Sequence, residues 1–205
     1  MIKKPVAPIP LNAYLSADFV AQSPLPSRNR WRLALGALLI SVMASIAPAS
    51  AKTPGEVEIG QTLREAPLRG LNSPSKKLSE FRGKPMIINV WASWCGPCRQ
   101  EMASLERLAW KEDAGKFALI GISTDDYPEQ AKALLKKTNA TISHYIDSNL
   151  QLENMLGASQ LPLTLLIDAN GRVLYKVYGA KEWDGAEAQN LIRKAFKNPK
   201  AVSGK

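Results

Sequence analysis

The chain has 205 residues, 27 Lys and Arg against 18 Asp and Glu, two cysteines and one histidine, enough for one ordinary domain with appendages. Two cysteines plus His144 offer three soft ligands, which excludes a closed four-ligand zinc site of the usual composition, and a disulfide-dense secreted scaffold is excluded with it. A net charge of +9 suits nucleic acid or an anionic membrane only if it sits on the folded part of the molecule.

The first thirty residues hold five of the fourteen prolines (Pro5, Pro8, Pro10, Pro24, Pro26) and no helical or strand period, so they read as unstructured. After Arg28, Arg30 and Arg32 the run from Leu33 to Ala51 carries no charge. Basic residues, an apolar stretch and the small-residue ending Ala49-Ser50-Ala51 form the pattern of a secretory signal, with Pro48 breaking a helix just before the cleavage site. The long leader and the length of the apolar run also fit a retained anchor over about Leu33–Ala47, and a core helix is the third reading. Cleavage near Ala51 and anchoring both put the following residues in the periplasm or another extracytoplasmic space. The membrane would then be met through the N-terminal segment alone. The domain division expected is 1–51 for leader and signal or anchor, and 52–205 for one folded domain.

The charge divides along this boundary. Residues 1–51 have five basic residues against Asp18; the remainder has 22 basic against 17 acidic, a net of +5. In that remainder the basic residues are scattered, as at Lys76-Lys77 and Lys136-Lys137, without interleaved aromatics, so no nucleic-acid partner is expected.

In the exported part, Met86–Trp91 is nearly continuous in apolar and β-branched residues, the pattern of a strand buried on both faces. Ala92-Ser93-Trp94-Cys95 follows, and Pro97 suits the first turn of a helix carrying Met102, Leu105, Leu108 and Ala109. A second buried strand is expected over Phe117–Ser123, and Asp125, Asp126 and Pro128 signal a helix over Glu129–Thr138. A short strand over Ile142–Ile146 and a helix over Leu150–Leu156 come next. Leu163–Asp168 and Val173–Tyr178 flank Asn170-Gly171, the strongest hairpin signal of the chain. A helix over about Ala186–Lys197 turns Leu191, Ile192 and Phe196 to the sheet. This alternation predicts an α/β sandwich around a mixed central sheet.

Cys95-Gly96-Pro97-Cys98 therefore lies at a strand-to-helix turn. Cys95, ahead of the first turn, faces the unpaired N–H groups and positive dipole end of the helix, which stabilise a thiolate and make it the nucleophile. Cys98 lies one turn deeper on the same face, placed to attack a mixed disulfide on Cys95. The Gly-Pro pair between them tunes the preference for dithiol or disulfide.

Trp91-Ala92-Ser93-Trp94-Cys95-Gly96-Pro97-Cys98 resembles the active-site segment of thioredoxins. Leu78–Lys84, Cys98-Arg99-Gln100-Glu101 and Leu161–Gly171 extend the likeness over roughly residues 60–195, to the exported TlpA/ResA/CcmG-type branch of that superfamily. The resemblance implies a thioredoxin-like three-layer sandwich with an inserted strand–helix segment at about residues 125–160. It also implies a thiol–disulfide oxidoreductase without a cofactor or metal, whose partners are protein disulfides and a membrane electron donor. Such reductants maintain cysteines of extracytoplasmic proteins, among them the haem-attachment cysteines of apocytochrome c. Pro162 resembles the cis-proline that faces the cysteine pair and aligns an incoming peptide against Leu161. Glu101 stands where the branch places a glutamate that aids proton transfer; a carboxylate three residues beyond Cys98 could take its proton, while a solvated glutamate on an amphipathic helix is the rival reading. Where thioredoxin has a buried aspartate this chain has Asn89, which cannot ionise. Trp94, with Gly96 and Pro97, is expected to form the rim on which a partner docks, and Trp91 to pack in the core; His144 reads as structural. An oxidant or isomerase of the same fold, a copper carrier and a thiol peroxidase are the alternatives. The last two are disfavoured by the position of His144 and by Ala92-Ser93-Trp94 in place of a Thr-x-x-Cys context.

Overall fold

The computed structural model describes residues 53–111, 114–197 and 199. The expected leader and its signal or anchor lie outside the described residues. Seven strands form one sheet: β1 Pro67–Gly70, β2 Lys76–Lys77, β3 Met86–Trp91, β4 Ala118–Ser123, β5 Ser143–Ile146, β6 Leu163–Ile167 and β7 Val173–Tyr178. Their spatial order is β2-β1-β5-β4-β3-β6-β7. The helices are α1 Gly96–Ala109, α2 Pro128–Lys137, α3 Gln151–Leu156 and α4 Ala186–Lys197, with a 3₁₀ turn at Leu78–Phe81.

β3 is central because all six of its residues are buried, as its lack of polar alternation requires. Its Ile88 and Val90 join β4, β6 and the apolar residues of α3 on one face. On the other face Ile87 packs with Leu105 and Leu108 of α1, Trp183, and Ala188 and Ile192 of α4. Each such aliphatic side chain contributes roughly 1.5–3 kcal/mol when fully buried. The three-layer thioredoxin-like sandwich is thus present, and residues 125–160, expected to hold a strand and a helix, hold α2, β5 and α3.

β3 runs parallel to β4 and antiparallel to β6, with Val90 opposite Leu163. The carboxyl end of β3 and the start of β6 therefore meet at one edge of the layer, which is where the cysteine motif and Pro162 lie in sequence. The expected β6–β7 hairpin forms through Asp168, whose Oδ1 accepts the N–H groups of Asn170 and Arg172, while Gly171 supplies a φ of +84°. β1 and β2 are short and lie beyond β5; nothing in their local composition announces them.

At the middle of the sheet, Gly121 of β4 makes room for a buried polar pair. Trp91 Nε1 donates to His144 Nδ1 at 3.1 Å across β4, and a Cβ at position 121 would fall 2.1 Å from that nitrogen. Both rings are buried, as expected, and burial depresses the His144 pKa to about 4.

Candidate active site

The chain leaves β3 at Trp91 and turns through Ala92–Cys95, where the Cys95 N–H donates to the Ala92 carbonyl at 3.1 Å. Cys95 has extended backbone (φ −77°, ψ 107°) and occupies the N-cap position of α1, which starts at Gly96 with Pro97 in its first turn. Its Sγ does the work that a Ser or Asp oxygen does in an ordinary cap, accepting the Cys98 N–H at 3.2 Å. The two sulfurs are joined in a disulfide. Cys95 keeps 5% of its surface exposed and Cys98 none, so a partner's sulfur can reach only Cys95.

The Leu161–Pro162 peptide bond is cis, in agreement with the expectation. A groove of about 620 Å³ runs past the cysteine pair, with Trp94, Cys95, Gly96, Pro97 and Leu161 along its length. Trp94 is 67% exposed, an indole presented to solvent rather than to the core. A second stretch of its wall comprises Thr124, Asp126, Leu150, Glu153, Ala158 and Ser159. This wall was missed from the sequence, because its residues come from the ends of β4 and α3 and share no local pattern. Leu150 caps α3 in the left-handed region, φ +55°, where a branched side chain is unusual. Asp147 supports that turn by accepting the N–H groups of Gln151 and Glu153. Burial holds the Glu153 carboxyl above its ordinary range, against a hydrogen bond from Thr124.

Glu101 does not line the groove. It lies one turn beyond Cys98 on the side of α1 turned to the sheet, and only 2% of it is exposed, so the solvated reading of this residue is wrong. Its Oε1 accepts from Asn89 Nδ2 at 2.7 Å, and its Oε2 accepts from Trp183 Nε1 at 3.0 Å and the Lys181 N–H at 3.2 Å. Asn89 is itself oriented by Thr164 Oγ1, 3.0 Å away. Burial raises the Glu101 pKa and the hydrogen bonds from Trp183, Asn89 and Lys181 oppose it. Asn89 thus replaces an ionisable group with a donor that orients one. Oε2 is saturated, while Oε1 has one donor and keeps a lone pair able to accept a proton. Trp183 carries no sequence signal for this role. Among the described residues no three His, Cys, Asp or Glu side chains converge as a metal site, and none of the helices is long and apolar enough to cross a membrane.

The sequence profile of the Redoxin family matches residues 58–192. The chain belongs to the Redoxin family. This Redoxin protein is similar to the thiol-disulfide oxidoreductase ResA of Geobacillus thermodenitrificans, 28% identical over 117 residues that cover 57% of this chain and 67% of the relative. It is also similar to the thiol:disulfide interchange protein DsbE of Vibrio cholerae, 34% identical over 126 residues covering 60% and 66%. A solved structure of a Chlorobium tepidum protein, provisionally described as a thiol:disulfide interchange protein DsbE, superposes with a TM-score of 0.63 at 28% identity, covering 68% of this chain and 99% of that one. With a Cys-x-x-Cys pair on this fold, the Redoxin chain is a thiol–disulfide oxidoreductase.

Proposed function

We propose that the protein is an exported reductant of protein disulfides, with Cys95 as nucleophile and Cys98 as resolving thiol. The observation that supports these two roles is the asymmetry of the pair: Cys95 lines the groove, while Cys98 is fully buried one helical turn before the buried Glu101. In the reduced protein the Cys95 thiolate attacks one sulfur of a partner's disulfide, forming a mixed disulfide and releasing the partner's other sulfur as a thiolate. The Cys98 thiol gives its proton to Glu101, and its thiolate attacks Cys95 Sγ. The intramolecular disulfide forms, the partner leaves as a dithiol, and two electrons have passed to it. A donor must then return two electrons to the pair, and a membrane electron donor fits the N-terminal leader.

The groove supports an extended partner segment as substrate, held between the Trp94 rim and the backbone at Leu161–Pro162. Cysteines of extracytoplasmic proteins, including those awaiting haem attachment, are the substrate class proposed. The test is to capture partners with Cys98→Ser, which leaves the mixed disulfide on Cys95 unresolved, and to measure the reduction potential of the wild-type pair. A potential near that of thioredoxin, about −270 mV, is expected, and one near about −120 mV would overturn the reductant direction.

A further inference from the structure

The turn that delivers Cys95 is gripped by a carboxylate that the exchange reaction does not touch. Asp125 follows β4 and is completely buried. Its Oδ1 accepts from Ser93 Oγ at 2.6 Å, and its Oδ2 accepts from the Ser93 N–H at 2.9 Å and from Ser123 Oγ at 2.7 Å. The carbonyl of Ser93 accepts from Arg99 Nη1 of α1 at 2.9 Å. The residue two positions before Cys95 is therefore held at its N–H, hydroxyl and carbonyl, from the sheet on one side and from the helix on the other.

We propose that Asp125 is a positioning residue for Cys95, fixing the Ser93 turn and, by its buried negative charge, keeping the Cys95 thiol protonated to higher pH than the helix N-terminus alone would. The inference rests on the dithiol reading above. Holding the turn does not by itself require a charge, since an amide could accept from the Ser93 N–H and donate to a serine hydroxyl. Asp125 is instead a carboxylate whose side-chain partners are all neutral, one backbone N–H and two hydroxyls. A like charge in a low-dielectric setting disfavours a nearby thiolate. Less stable thiolate means less stable dithiol, so Asp125 biases the pair toward giving electrons away. The other charged groups around the motif are Arg99 and the buried Glu101 on α1, and Asp126 and Glu153 in the lining of the groove; the variants below leave all four in place.

Two substitutions separate charge from shape, read by thiolate absorbance of the reduced protein and by equilibration with glutathione. Asp125→Asn keeps the clamp and removes the charge, so the Cys95 pKa falls and the equilibrium moves about threefold to tenfold toward the dithiol, up to about 30 mV. Ser93→Ala keeps the charge and strips one donor from it, so both readouts move the opposite way. If Asp125→Asn does not fold, Ser93→Ala decides alone: a rise in the Cys95 pKa supports the proposal, and no change or a fall overturns it. Folded variants that match wild type within twofold, or that shift in the same direction, also overturn it. A wild-type pair that fails to equilibrate with glutathione would instead defeat the dithiol reading itself.

Discussion

Replacing Glu101 by Gln tests the proton-transfer step with little change of shape. All three groups that reach the carboxylate are donors: Asn89 Nδ2, Trp183 Nε1 and the Lys181 N–H. A glutamine must turn its own NH₂ toward one of them, a mismatch that costs on the order of 1–3 kcal/mol. Set against this is the burial of a charge in the wild type. Because burial raises the Glu101 pKa, the native state holds that proton more tightly than the unfolded chain. The corresponding stability is complete below the ordinary glutamate pKa and is lost as pH rises through the folded value. Each tenfold increase in proton affinity is worth about 1.4 kcal/mol. The wild type therefore loses stability relative to Glu101→Gln as pH rises from about 4.3, and the variant is expected to fold. A positioned general base contributes typically about 10² to 10⁴-fold. We expect a loss of at least about a hundredfold in the rate at which Cys98 resolves a mixed disulfide on Cys95. The wild-type rate should also show a pH inflection above the ordinary glutamate range that the variant lacks. Rapid-mixing kinetics on a preformed mixed disulfide, from acid to neutral pH, is the assay. A variant rate within threefold of wild type throughout would refute the assignment of the proton to Glu101.

The remaining predictions concern the core and the rim. His144 has its pKa depressed to about 4 from 6.5, so the unfolded state binds the proton first as pH falls. About 3 kcal/mol of stability should disappear between pH 6.5 and 4, and denaturant titrations should show that pH dependence weakened in His144→Gln. Gly121→Ala puts a methyl 2.1 Å from His144 Nδ1 and 3.0 Å from Trp91 Nε1; it should lower stability by roughly 1–3 kcal/mol or more, seen as a fall in the denaturation midpoint. Trp94→Ala, at a 67% exposed position, should change stability by less than about 0.5 kcal/mol. It should reduce exchange with protein disulfides more than exchange with dithiothreitol, and equal losses for the two would remove Trp94 from partner docking.

What could be read from the sequence follows the range of the interactions. β3, α1 and the β6–β7 hairpin announce themselves because burial on both faces, helical spacing and Asn170-Gly171 are local signals, and so is the cysteine pair. β1 and β2 escaped because four and two residues, one of the strands containing proline and glycine, are held by neighbours rather than by propensity. Glu101 shows the limit most plainly. Its spacing from Cys98 is visible, but whether it faced water or protein depended on Trp183, 82 residues away, and on Asn89, whose own partner is 75 residues distant. The Asp125 clamp and the acidic wall of the groove are likewise products of strand ends meeting, which no window of sequence contains.

The sulfur cap of α1 follows β3 and the cis-proline precedes β6, two strands that pair only when the central sheet has closed. Until then the chain carries two thiols in solvent, with no groove to present a partner and no buried carboxylate on the turn after the inner one. Reactivity is thus deferred along the folding route. A chain still collapsing is expected to exchange disulfides no faster than a small dithiol, and the site is completed by the same long-range contacts that complete the domain.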